Sequence, residues 1–227
     1  MPSSSLKPPQ QERSRKGEKA LLQAGLKGIE TRGVAGLNMA DVAAEAKASI
    51  GSLYFRFGDK SQFVEAVLAV ALKEFQDRGF ALCETAEREK WPQRRILEGW
   101  VAVVVTSVRE RRSLVRELIS HMATRPDAWK PIHERRRQLE DRLLSVLSAR
   151  SSSGRNPARE MRLRIGLQVV AATVINMVVV DPGPLRINDP SAKDALCDLL
   201  FSFIGAPTTN AKGKAAPQHK AVRSKKA

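Results

Sequence analysis

The chain has 227 residues, is 42% hydrophobic, and carries a formal net charge of +15 with 39 Lys/Arg against 24 Asp/Glu. That apolar content supports a folded core, and the length allows one domain or two small ones. Much of the basicity is a tail, not a face: residues 206–227 contain six Lys/Arg and no acid. Such a tail fits either sequence-independent nucleic-acid binding or solubility. The two cysteines, Cys83 and Cys197, match no zinc or redox spacing and read as core thiols in a reducing, cytoplasmic compartment. No apolar run opens the chain as a secretory signal would. The longest apolar stretch, Ile165–Val180, is interrupted by Gln168, Thr173 and Asn176, so no membrane span is expected.

Taken in order, residues 1–12 read as a disordered basic arm, because Ser, Pro, Gln and Lys bury too little to offset ordering entropy. A helix is expected from Arg13 to Thr31, with Leu22, Leu26 and Ile29 on one face and Gly33 as its stop. Gly25 and Gly28 weaken it by about 1 kcal/mol each against alanine, the usual sign of a neighbouring helix crossing closely. A second helix starts at Asn38, a good N-cap, with Asp41 three residues on in the manner of a capping box. Lys47-Ala48 is a tight break. Ser49 then caps a short third helix, SIGSLYFRF, which Gly58 ends. Asp59 and Gln62 form a further cap-and-box pair, launching a long helix with the stripe Phe63, Val64, Val67, Leu68, Ala71, Leu72 and Phe75.

Beyond residue 80 the pattern stays helical. Pro92 suits a helix start. The run VAVVVTSV, Val101–Val108, reads as a buried helix or as a strand. Helices follow at Ser113–Met122 and, after Pro126, at Asp127–Arg150, with Arg135–Arg137 on a solvated face. Residues 151–156 are a loop, Pro157–Val180 a mostly apolar helix, and DPGPLRINDP a proline-broken connector. Ser191 with Asp194 suggests a last capping box, before a helix ended by Gly205. The expected fold is therefore all-α, with about nine helices. Residues 13–60 would form a helix-turn-helix DNA-binding domain, 61–205 a second helical domain, and 206–227 a disordered Lys-rich tail.

Two short helices joined by a tight turn form a helix-turn-helix, whose second helix enters the DNA major groove with its N-terminal residues at the base edges. Ser49, Gly51 and Ser52 are small there, and the serines can bond a base or phosphate. Leu53 and Phe57, four apart, are the core-facing pair of the same helix.

With its glycine stop at Gly33, the Ala43–Ala46 pair and the block SIGSLYFRFGDK, the stretch over about residues 19–66 resembles the DNA-binding domain of the TetR family of transcriptional regulators. The resemblance implies an all-helical homodimer, usually a repressor, that binds a near-palindromic double-stranded operator and is released by a small-molecule effector. Position by position, it places Ser49, Ile50, Gly51 and Ser52 at the groove, Tyr54 and Lys60 on phosphate, Phe55 and Arg56 at neighbouring exposed positions, and Asn38 on the backbone. Lys47 stands where a turn glycine is usual, which demands a left-handed residue and offers a further phosphate contact. Gly28 replaces a larger apolar residue, and Gly58-Asp59 varies the linker. The resemblance also assigns the dimer interface to the helices near 157–180 and 191–204.

An effector pocket between the middle helices would be mostly apolar, and Trp100, Val104, Met122, Trp129 and Asn176 are its candidates. His121 and His133 with Asp127 and Glu134 match no common metal spacing. No nucleophile–base pair or phosphate-binding glycine loop is evident, so neither an enzyme nor a cofactor is expected. The rival reading is an architectural protein that binds DNA without sequence preference through the basic tail.

Overall fold

The computed structural model describes residues 9–124, 130–150, 156–180 and 183–205, and these contain nine helices and no strand. They are α1 (Pro9–Arg32), α2 (Met39–Glu45), α3 (Ile50–Phe57), α4 (Lys60–Arg88), α5 (Gln93–Glu110), α6 (Arg112–Thr124), α7 (Lys130–Ser148), α8 (Pro157–Val179) and α9 (Ala192–Ile204). Of the arm expected to be disordered over residues 1–12, residues 9–12 are helical instead; residues 1–8, residues 151–155 of the expected loop and the tail at 206–227 lie outside the described residues.

Local chemistry sets most helix ends. Asn38 Oδ1 accepts from the Ala40 and Asp41 amides, and Ser49 Oγ accepts from the Ser52 amide at 3.1 Å. Asp59 and Gln62 make the full reciprocal box at the head of α4. Asp41 does not complete one; its carboxylate pairs with Arg32 at 2.8 Å instead. Ser191 also fails as a side-chain cap: its backbone is already helical (φ −80, ψ −8), and its side chain makes no cap bond. The start of α1 falls at Pro9, ahead of the expected Arg13, since proline at a first helical position loses no hydrogen bond.

Two apolar clusters organise the packing. The first joins Leu21, Leu26 and Ile29 of α1, Val42 of α2 and Leu53 of α3 to Phe63, Val64, Val67 and Leu68 of α4. It does not stop at residue 60, and it takes in Leu114 of α6 as well. The second spans the far end of α4 and helices α5, α7, α8 and α9. α4 runs through both, over about 43 Å at 1.5 Å per residue. The two glycines of α1 serve the first cluster. A Cβ on Gly25 would lie 2.6 Å from Phe63 Cζ, and one on Gly28 would lie 2.6 Å from Leu37 Cδ1. The close helix crossing expected of them is present at Gly25, where α4 passes, whereas Gly28 is met by Leu37 of the α1–α2 connection.

The valine run of α5 is helical because Val101, Val104, Val105 and Val108 recur at helical spacing and are all buried. By length and composition alone α8 could cross a membrane, with a mean hydropathy of 1.4 over its most apolar window, because Gln168, Thr173 and Asn176 are polar but uncharged. In the fold, its Gly166, Leu167, Val170, Val174, Met177 and Val178 are buried within the molecule. Its other face is exposed and apolar: Met161, Ile165, Val169, Val179 and Val180, joined by Leu199 and Phe203 of α9.

α6 links the clusters. Leu114 is buried among α1–α4, while Arg116 Nε donates to the Val178 carbonyl of α8 at 2.7 Å. At the corner before it, Arg111 pairs with Glu74 of α4 at 2.7 Å and Glu30 of α1 at 3.7 Å.

Candidate nucleic-acid interface

The turn between α2 and α3 is closed by backbone bonds from Lys47 N to Ala44 O (3.0 Å) and Ala48 N to Ala43 O (2.9 Å). Lys47 adopts φ 53, the left-handed conformation expected of a residue in a glycine's place. No hydrogen bond or ion pair engages its exposed ammonium among the described residues.

On α3, one side belongs to the core. Leu53 is fully buried, and half-buried Phe57 meets Phe63 edge-on with ring centroids 5.0 Å apart. Everything else the sequence assigned to DNA on this helix is open or half-open. Ser49, Ile50 and Gly51 are exposed at its first turn, and Ser52 is half-buried. A Cβ built on Gly51 would meet only Ser49 Oγ, at 4.0 Å, so packing does not require a glycine there. Tyr54 is exposed, and Phe55 is 91% exposed, which excludes a role in covering the seam with the second half of the chain. Asn38 is exposed at the head of α2, and Lys60 sits half-buried in the first turn of α4. The N–H groups that the caps leave unbonded at these helix starts add a positive dipole end that suits phosphate.

Arg56 differs from the rest. Its guanidinium turns back onto α1: Nη1 donates to the Ser14 carbonyl at 3.2 Å and to Ser14 Oγ at 2.9 Å, and Nε to Ser52 Oγ at 3.5 Å. Sequence reading missed Ser14, since a partner 42 positions away leaves no local signal.

The effector-pocket candidates do not gather in the same way. Val104 is buried and half-buried Trp100 packs against the second cluster, but Asn176 is exposed on α8, seven residues after Val169 and so on the same outward stripe. The Met122 side chain and Trp129 lie outside the described residues. The structure does open a cleft of about 590 Å³ between α7 and α8, lined by Asp141, Leu144, Ser145, Ser148, Glu160 and Arg164, none of them a candidate. No cluster of potential metal ligands occurs among the described residues.

Helices throughout the described residues, with a capped recognition helix whose first turn is small and exposed, define a helix-turn-helix DNA-binding fold. Residues 21–67 match the family model for bacterial regulatory proteins of the tetR family. The whole fold is similar to solved structures of that family. One is a putative regulator from Mesorhizobium loti, 15% identical, with a TM-score of 0.61 over 85% of this chain and 95% of that one. Another is the regulator PfmR from Thermus thermophilus, 16% identical, with a TM-score of 0.55 over 82% and 97%. The fold is also similar to that of the multidrug binding protein EbrR, complexed with imidazole, 20% identical, with a TM-score of 0.56 over 87% of this chain and 97% of that one. No curated protein matches in sequence. Residues 21–67 thus carry the DNA-binding domain of the tetR family, and the chain as a whole shares the fold of solved members of that family.

Proposed function

We propose that the protein is a homodimeric repressor that binds a near-palindromic operator and is released by a small-molecule effector. The observation that carries this is the presence of two outward surfaces on one chain. At one end α3 offers an exposed recognition turn; on α8 and α9 an apolar stripe from Met161 to Phe203 is exposed. Pairing two copies through that stripe buries it and relates two recognition helices by a dyad. Two such helices read half-sites about 34–36 Å apart, or a multiple of that, and a dyad imposes a near-palindrome.

In this reading Ser49, Gly51 and Ser52 approach base edges, while Ile50 and Phe55 offer apolar contact to a thymine methyl. Asn38, Lys47, Tyr54 and Lys60 bind phosphate and set the register. An effector acts by preferring one relative placement of the two halves, and α6, seated in the first cluster and bonded to α8, is the element that transmits it. The similarity in fold to EbrR, described as a multidrug binding protein, supports a small molecule in that role.

The test is selection of operator from random duplexes, followed by footprinting and salt titration. Two protected half-sites one turn apart are expected. Lys60→Ala should weaken binding about equally on every duplex and lower the salt slope by ~1. Val169→Glu, at an exposed position, should give a folded monomer by sedimentation that no longer protects the paired half-sites. A footprint of one half-site by a monomeric wild type sinks the dimer, and a Lys60→Ala titration identical to wild type sinks the docking register.

A further inference from the structure

α1 begins at Pro9, but its first buried core residue is Leu21, about three turns later. Between them Glu12–Ala20 is exposed or half-buried throughout. An isolated helical segment of that length is marginal in water, and Gly17 lowers its propensity further. Its own ion pair, Glu12–Lys16 at 2.9 Å, is well over half exposed on both sides and adds a few tenths of a kcal/mol at most. The recognition helix ties these turns to the fold. Arg56 bonds both Ser14 oxygens, and a Cβ on Gly17 would lie 3.9 Å from Arg56 Nη2, so residues 14 and 17 form the face of α1 that meets Arg56. Ser49, Ser52 and Arg56 lie at i, i+3 and i+7, one stripe of α3. The leading turns of α1 therefore lie along the flank of the stripe whose start faces the groove. They carry exposed Arg13, Arg15 and Lys16 to that place.

Resting on the regulatory reading above, we propose that these turns belong to the DNA-binding surface. Arg13, Arg15 and Lys16 contact phosphates flanking each half-site. Arg56 is a positioning residue: its Nη1 and Nε donors are spent on Ser14 and Ser52, and it holds the basic turns against the duplex instead of touching DNA itself. The Glu12–Lys16 pair, being exposed, exchanges for a phosphate at little cost.

The experiment uses the full chain in four forms: wild type, Arg56→Lys, the triple Arg13→Ala/Arg15→Ala/Lys16→Ala, and the two combined. Affinity is measured across a salt series on a selected operator and on an unrelated duplex, with helix content followed by circular dichroism. The triple is expected to lose about tenfold or more on both duplexes and to lower the salt slope by about 0.9 per contact removed. Lysine keeps the charge but not the forked donors. Arg56→Lys should therefore reproduce most of that loss in the wild-type background, add nothing to the triple, and raise hydrogen exchange over residues 10–20. A triple with wild-type affinity and slope overturns the proposed surface. An Arg56→Lys loss that adds in full to the triple overturns the positioning role, because Arg56 would then touch DNA. A wild type that selects no duplex overturns the regulatory reading and this proposal with it.

Discussion

Replacing Gly51 by alanine separates the demands of folding from those of recognition. Gly51 is the second residue of α3, its φ is not positive, and an added Cβ would meet nothing closer than Ser49 Oγ at 4.0 Å. The fold therefore accepts the methyl group. Glycine in a helix costs about 0.5–1 kcal/mol against alanine, so Gly51→Ala should stabilise the protein by up to that amount. For a chain of this size that is a rise of ~1–4 °C in the thermal midpoint. Recognition should move the other way. If backbone at this position approaches a base edge, the methyl occupies the contact distance and the helix must withdraw. A loss of about 1.4 kcal/mol, tenfold in Kd, is expected on the operator. Binding to an unrelated duplex should hold within about twofold, because phosphate contacts carry it. Calorimetry and fluorescence anisotropy at fixed salt give both numbers. A lowered thermal midpoint, or an operator affinity unchanged by the methyl, would refute the claim that this glycine serves the groove.

Two further changes probe the packing. Gly25→Ala should cost about 1–3 kcal/mol, since its Cβ would sit 2.6 Å from Phe63 Cζ and 2.7 Å from Val67 Cγ2 at the crossing of α1 and α4; denaturant titration measures it. Burial pushes the thiols of Cys83 and Cys197 up to about 11, from 9.0. Each thus stabilises the fold fully below pH 9.0 and loses that contribution as pH rises through about 11. The thermal midpoint should fall over that window less steeply in a Cys83→Ala/Cys197→Ala variant than in wild type. Native protein at pH 8 should resist a thiol reagent until unfolded.

The helix-turn-helix was legible because its signals are local. Asn38, Ser49, Asp59 and Gln62 bond amides two or three residues away, and the left-handed turn at Lys47 follows from a lysine standing in a glycine's place. Ser191 misled because residue type alone does not fix the backbone angle a cap needs. The valine run in α5 could not be decided by itself; its helix is selected by burial of every third and fourth residue against the second cluster. Asn176, a candidate for a pocket between the middle helices, faces outward with Val169 instead. Arg56 reads as an exposed charge; Ser52 is its partner on the same helix, and the passage of α1 adds Ser14 from 42 positions away.

The seating of Leu114 has a bearing on engineering. Its side chain, 4% exposed, helps close the underside of the helix-turn-helix, together with the Phe63–Ala71 stretch of α4. The recognition unit is thus not a detachable cassette. A chimera joined at residue 60 would leave Leu53 and Ile29 facing a foreign partner, and it would cut the lever through which the rest of the molecule speaks to DNA. Grafting new operator preference onto this scaffold calls for exchanging only the outward side chains of α3, with the floor beneath them left as it is.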